Sequence, residues 1–218
     1  MVGTETIATI GFAHSQDEFK ELVQRLESGA RTLDRLAQRM FIVFKDDDTI
    51  ETIGRGRYAD QSTELKAYVD EQRERRAAFS AAMNDGSLVC REVYSASELR
   101  AYAEKPLHGD VQISKDQARR MFAKWRDALR DYPNNYQARI SEDLLPLKYA
   151  ISDGRTVMMH QGVELRTKGR LKGFLLACGG VADPFVADFK IAWSDAEKHH
   201  GDNAAVIRWI DENLLGDT

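Results

Sequence analysis

Tyr136 to His160, YQARISEDLLPLKYAISDGRTVMMH, sets short β-prone runs around the chain's patterned cluster of polar residues. Pro133-Asn134-Asn135 opens a strand over Tyr136 to Ile140, a second is expected over Leu147 to Ile151, and a third over Thr156 to His160. Between the last two stands Ser152-Asp153-Gly154-Arg155, where Asp-Gly suits the positive-φ positions of a tight hairpin. The spacing predicts that these strands are antiparallel neighbours.

Toward the N-terminus, Ser114 with Gln117 at N3 opens a helix to about Asp131, with Met121, Phe122, Trp125 and Leu129 apolar. Leu88 to Tyr94 reads as a core strand, and Ser95-Ala96-Ser97-Glu98 as a capping box before a helix carrying Leu99, Tyr102 and Ala103. Lys105 to Val111, with Pro106 and Gly109, is expected to be a loop. A long helix is expected from about Asp60 to Asn84, stopped by Asp85-Gly86, with a charged centre from Glu71 to Arg76 that suits a solvated face. Gly54-Arg55-Gly56-Arg57 lacks the GK[ST] ending of a phosphate loop and reads as a turn or exposed loop. Phe41 to Phe44 fits a buried strand, and Lys45-Asp46-Asp47-Asp48 a solvated turn after it, because the further ligands of a calcium loop are missing. Ser15-Gln16-Asp17-Glu18 is a capping box before a helix with Leu22 and Leu26, and a second helical run is expected over Leu33, Leu36 and Met40. Residues 4 to 12 suit an edge strand or extended arm.

Toward the C-terminus, Glu164 to Gly173 is a basic loop and Phe174 to Cys178 a strand. Asp183-Pro184 reads as N-cap and N1 of a helix with Phe185, Phe189 and Trp193, ending at His199-His200-Gly201. A last helix is expected over Asn203 to Leu215. Alternation of strands and helices points to an α/β fold with a mixed β-sheet flanked by helices. We expect one domain over 1–218, with 1–40 a helical or extended segment available for oligomer or partner contacts.

The 218 residues are 43% hydrophobic, enough for a substantial core. With 31 basic and 35 acidic residues the net charge is −4, so no global charge draws the protein to nucleic acid or anionic lipid. Cys90 and Cys178 lack CxxC or Cys/His spacing, which points away from disulfides and zinc, and adjacent His199 and His200 diverge too far to share an ion. No metal and no cofactor is expected. The N-terminus lacks a basic region followed by an apolar run, and no window reaches the about 18 apolar residues of a membrane span. The expectation is a cytoplasmic protein with no membrane partner.

Pro146 to Asp153 resembles the H-x-K-x4-D motif of the phospholipase D superfamily, with Lys148 and Asp153 in frame. The flanking helix, the Tyr136 to Ile140 strand and the Ala182 to Ala196 helix are similar to parts of one half of that fold. The resemblance implies a phosphate-binding site in which histidine attacks and lysine holds phosphate oxygens. Here Pro146 occupies the histidine position, and His160 and Val163 stand where a glycine and an asparagine are expected. There is no second copy of the motif. The resemblance therefore implies a degenerate, non-catalytic member, like the sensor or interaction domains of bacterial regulators, binding a small anion or a protein partner. Single-motif members pair two copies, so a homo-oligomer is expected, with Trp209 in a candidate contact.

Lys148, Arg139, His160 and Arg155 are the candidate ligand-binding residues, since Lys and Arg supply donors to phosphate or carboxylate. Against that stands an exposed strand lysine, a turn-forming Asp153 and a satisfied histidine. A second reading is an active phosphodiesterase or nuclease using His160, Lys148 and Asp153. A third is a nucleic-acid-binding accessory protein, in which an extended segment places Arg166, Lys168, Arg170 and Lys172 on one side. The alternative for that segment is a plain solvated loop.

Overall fold

The structure, a computed structural model, describes residues 9–13, 16–27, 29–37, 44–59, 61–108, 111–143, 145–159, 163–165, 169–171, 173–177 and 179–216. β1 (Thr9–Ala13) and α1 (Gln16–Glu27) lead into β2 (Thr32–Ala37). Next come α2 (Asp47–Arg57), α3 (Ser62–Asn84), β3 (Val89–Ser95) and α4 (Ala96–Glu104). A small ladder of β4 (Leu107–His108) and β5 (Val111–Gln112) precedes α5 (Lys115–Asp131) and β6 (Tyr136–Ser141). β7 (Tyr149–Ser152) and β8 (Thr156–Met159) form a hairpin, followed by a ladder of β9 (Val163–Leu165) and β10 (Gly169–Leu171). β11 (Gly173–Ala177), α6 (Gly179–His200) and α7 (Asn203–Ile210) complete the order, α7 continuing into a π-helical turn over Asp211–Leu215.

The main sheet has seven strands in the order β1-β11-β8-β7-β2-β3-β6. β2, β3 and β6 run parallel, and the other pairings are antiparallel, so the fold is α/β with a mixed sheet flanked by helices. The larger core, with Trp125, Phe122, Tyr94 and Ile50 fully buried, fills one face. On the other, Phe189 and Ala196 of α6 pack on Leu36, Val93 and Tyr149.

Alternation along β2 sends Leu33, Arg35 and Ala37 to the larger core and Asp34 and Leu36 toward α6. β3 alternates in the same way, and the parallel register sets Asp34 opposite Arg91 and Arg35 opposite Glu92. A slip of one residue would put Arg35 opposite Arg91, or Asp34 opposite Glu92. Complementary charges on both faces therefore specify the register.

Several expectations are corrected. The residues with Leu33 and Leu36 form the central strand β2 and not a helix, because Asp34 and Arg35 find their partners across the ladder to β3. The segment 1–40 thus contributes β1, α1 and β2 to the fold itself. β6 does not neighbour β7: it pairs in parallel with β3 at the sheet's edge, since the long connection through α4 and α5 permits a crossover. Asn203 covers that edge, donating to the carbonyls of Leu129 and Tyr136 at 3.0 and 2.9 Å and accepting from the Ala138 N–H at 3.2 Å. Gly54 to Arg57 lies within α2, and a Cβ on Gly54 would come within 2.6 Å of Leu65 on α3, so this glycine serves helix contact and not a turn.

Asp46 is the N-cap of α2, accepting from the Thr49 N–H at 2.8 Å, while Asp47 and Asp48 in its first turn pair with Arg76 and Arg120. Lys105 to Val111 contains β4. α6 begins at Gly179, ahead of the expected cap, with Pro184 inside it. The capping box of α5 forms as expected, Ser114 and Gln117 bonding reciprocally at 3.1 and 2.8 Å. Ser95 is the N-cap of α4 but makes no capping bond through its side chain; its Oγ lies 3.0 Å from Ser97 Oγ. Trp209 is 3% exposed, packed inside the chain. Ser15, Phe41 to Val43 and Cys178 lie outside the described residues.

Candidate functional site at the carboxyl edge of the sheet

In an open α/β sheet, ligands gather outside the carboxyl ends of parallel strands. Here β3 ends at Ser95 and β6 at Ser141, beside the end of β2. β7 runs the other way, pairing Tyr149 with Leu36, so Lys148 enters the sheet at that same edge. α4 starts directly from Ser95 and carries Glu98 in its first turn. The Lys148 ammonium donates to Glu98 Oε2 at 2.6 Å, and its residue is only 5% exposed.

Around this pair the edge is polar. Arg100, one turn along α4, lies 3.6 Å from Glu142, which follows β6, and packs its guanidinium 5.3 Å from the centre of the Trp209 ring. His200 at the end of α6 approaches the same carboxylate at 3.7 Å, held there by a bridge to Ile140. The Ser141 hydroxyl accepts from the Asp143 N–H at 3.1 Å. The cluster offers ammonium, guanidinium, imidazole and hydroxyl donors, each beside a carboxylate or another hydroxyl. An incoming anion would have to exchange with a carboxylate already present.

Among the described residues, the candidates Lys148, Arg139, Asp153 and Arg155 do not meet in one pocket. Asp153 sits at the far end of β7, about 16 Å of strand from Lys148. There it has φ 51° and its Oδ1 accepts from the N–H groups of Arg31 and Thr32 at 2.9 and 2.8 Å. It ties the hairpin to the start of β2. Arg155 belongs to the same exposed turn. Arg139 lies on the α6 face, its Cζ 4.2 Å from the centre of the Trp193 ring, donating to the Trp193 carbonyl and pairing with Glu197 at 3.4 Å. Burial pulls this guanidinium below its ordinary pKa, against the opposing pull of Glu197.

His160, Arg166, Lys168 and Lys172 lie outside the described residues, and of Arg170 only the strand is described. β9 and β10 make a two-stranded antiparallel ladder with Arg170 opposite Glu164. Among the described residues no group of three or more His, Cys, Asp or Glu could hold a metal ion, and no helix is long and apolar enough to cross a membrane.

Sequence reasoning missed Glu98, Arg100, Glu142 and His200 as members of one edge. Glu98 was legible only as half of a capping box, and nothing local announces a lysine partner 50 residues away.

No protein-family model matches the chain, and no curated protein matches it. Among solved structures it is similar to Nuc, a phospholipase D family member from Salmonella typhimurium, at 10% identity and a TM-score of 0.43, over 86% of this chain and 93% of that one. It is also similar to TrmBL2, an archaeal chromatin protein whose structure shows a novel mode of DNA binding, at 10% identity and a TM-score of 0.43 over 85% of this chain. The match takes in 51% of TrmBL2, so this chain spans about half the length of that protein. Similarity at this level assigns neither an activity nor a ligand.

Proposed function

We propose that this chain is a phospholipase D-like domain that binds an anionic group, on a small molecule or a protein partner, without cleaving it. The observation that carries the reading is Lys148. The lysine of the H-x-K-x4-D frame is buried at the carboxyl edge and holds Glu98 at 2.6 Å, while the frame's first position is Pro146, which has no lone pair for attack. Glu98 stands in the first turn of α4, where negative charge is favoured, and a phosphate or carboxylate would take its place there.

Isothermal titration with inorganic phosphate, a nucleoside monophosphate and a sugar phosphate tests this. Glu98→Gln removes the competing charge and is expected to tighten binding by about tenfold, equivalent to about 1.4 kcal/mol. Lys148→Ala is expected to abolish it. Unchanged affinity in Lys148→Ala would sink the reading, as would steady hydrolysis of a generic phosphodiester by the unaltered chain.

A further inference from the structure

A cavity of about 210 Å3 opens between the C-terminal parts of α3 and α5, at the opposite end of β6 from the carboxyl edge. Its inner wall is apolar: Phe44, Met83 and Tyr136 are buried, with the Phe44 and Tyr136 ring centres 5.6 Å apart, and Phe79 packs beside them. The Tyr136 hydroxyl is committed to Glu92, so the cavity meets its ring.

The mouth belongs to α5, where Lys124, Asp127 and Asp131 recur at helical spacing on one face. Asp127 Oδ1 accepts from Arg126 at 3.0 Å and from Arg130 at 3.4 Å, and its Oδ2 has no partner among the described residues. Lys124 makes no ion pair among the described residues. Burial of part of the side chain lowers its pKa, with Arg76 and Arg120 adding to that and Asp46 and Asp47 opposing it.

Size narrows the occupant. An apolar cavity of about 150 Å3 holds benzene, whereas sites for drug-sized ligands start near about 300 Å3. One ring with a small polar head therefore fits. A carboxylate alone would meet Lys124 but face Asp127 and Asp131, and an amine alone would meet the two carboxylates but face Lys124. A head group carrying both charges finds an opposite charge for each. We propose that this cavity is a second small-molecule site, separate from the Lys148 edge, built for a single-ring aromatic α-amino acid.

Titrating the full chain with L-phenylalanine, phenethylamine and 3-phenylpropanoate tests the assignment. L-Phenylalanine is expected to bind at least about tenfold more tightly than either singly charged analogue. Lys124→Met, an exposed substitution, is expected to bring it down to the level of phenethylamine, and Ala128→Phe, which fills the cavity, to abolish it. Circular dichroism establishes that each variant is folded. Equal affinity for the three compounds, no heat from L-phenylalanine at millimolar concentration, or binding that survives Lys124→Met unchanged would each overturn the proposal. Phosphate titration at the Lys148 edge is unaffected by Lys124→Met, so the two sites fail separately.

Discussion

β2 and β3 carry one pair of opposite charges on each face of the sheet, and the two pairs occupy contrasting surroundings. On the larger core, the Arg35 and Glu92 side chains are 11% and 0% exposed. Glu92 also accepts from the Tyr94 hydroxyl at 2.9 Å and from Tyr136. Burial lowers the Arg35 pKa, but Glu92, with Tyr94, Cys90 and Tyr136 adding to it, holds the guanidinium above its ordinary value. Burial, with the same charge adding to it, pushes both tyrosines well up, so they remain O–H donors.

On the other face Arg91 and Asp34 meet in two hydrogen bonds of 2.7 Å, with side chains 36% and 13% exposed. Arg91 there lies 5.4 and 5.7 Å from the Phe189 and Trp193 ring centres, so this pair also fastens α6. The buried pair excludes other registers at a large desolvation cost, whereas the half-exposed one keeps access to water and anchors a helix.

Removing one partner of the buried pair should have the largest effect. Glu92→Ala strands Arg35 and two hydroxyls and is expected to cost about 3–5 kcal/mol in urea unfolding at neutral pH. Adding Arg35→Met to it should restore at least half of the loss; no recovery would mean that the pair itself, and not the stranded charge, dominates.

The tyrosines give the second test. Their folded pKa values are raised, so their contribution is fully present below the unfolded value of about 10 and is lost as pH rises beyond it, by up to about 1.4 kcal/mol per group per pH unit. Tyrosinate absorbance should then appear together with unfolding, and titration of Tyr94 and Tyr136 without loss of structure would contradict their burial.

Asp34→Ala should cost only about 1 kcal/mol, because Arg91 can turn to water and keep its aromatic contacts. A loss equal to that of Glu92→Ala would erase the contrast between the faces.

The smallest effect belongs to a surface carboxylate outside the sheet. Burial opposes ionisation of Asp46, yet hydrogen bonds from Thr49 and Arg120 hold its pKa near about 2, down from 3.8. Its contribution is therefore present above about pH 4 and lost as pH falls toward 2. Asp46→Ala should cost about 0.5–1 kcal/mol at neutral pH, read as a lowered thermal midpoint that nearly vanishes near pH 2.

Local signals were readable. The Ser114-Gln117 capping box, the Asp153-Gly154 tip, the long helix α3 and the strands β3, β6, β7 and β8 all stand where the residues place them, within a few positions at their ends. Each depends on hydrogen bonds or dihedral preferences spanning a handful of residues. Over β2, leucines three apart fit a helical period as well as a strand broken by charges, and only β3 resolves the choice. Gly54 carries no local mark separating a turn glycine from one pressed against a neighbouring helix.

Composition, caps and turn chemistry alone determined that this chain is α/β and where most of its helices begin. Tertiary structure decided which charges meet. Glu98 reaches Lys148 across 50 residues and Glu92 reaches Arg35 across 57. Partners that distant are set by strand order and register, which follow from burying the whole sheet at once and not from any single stretch of it.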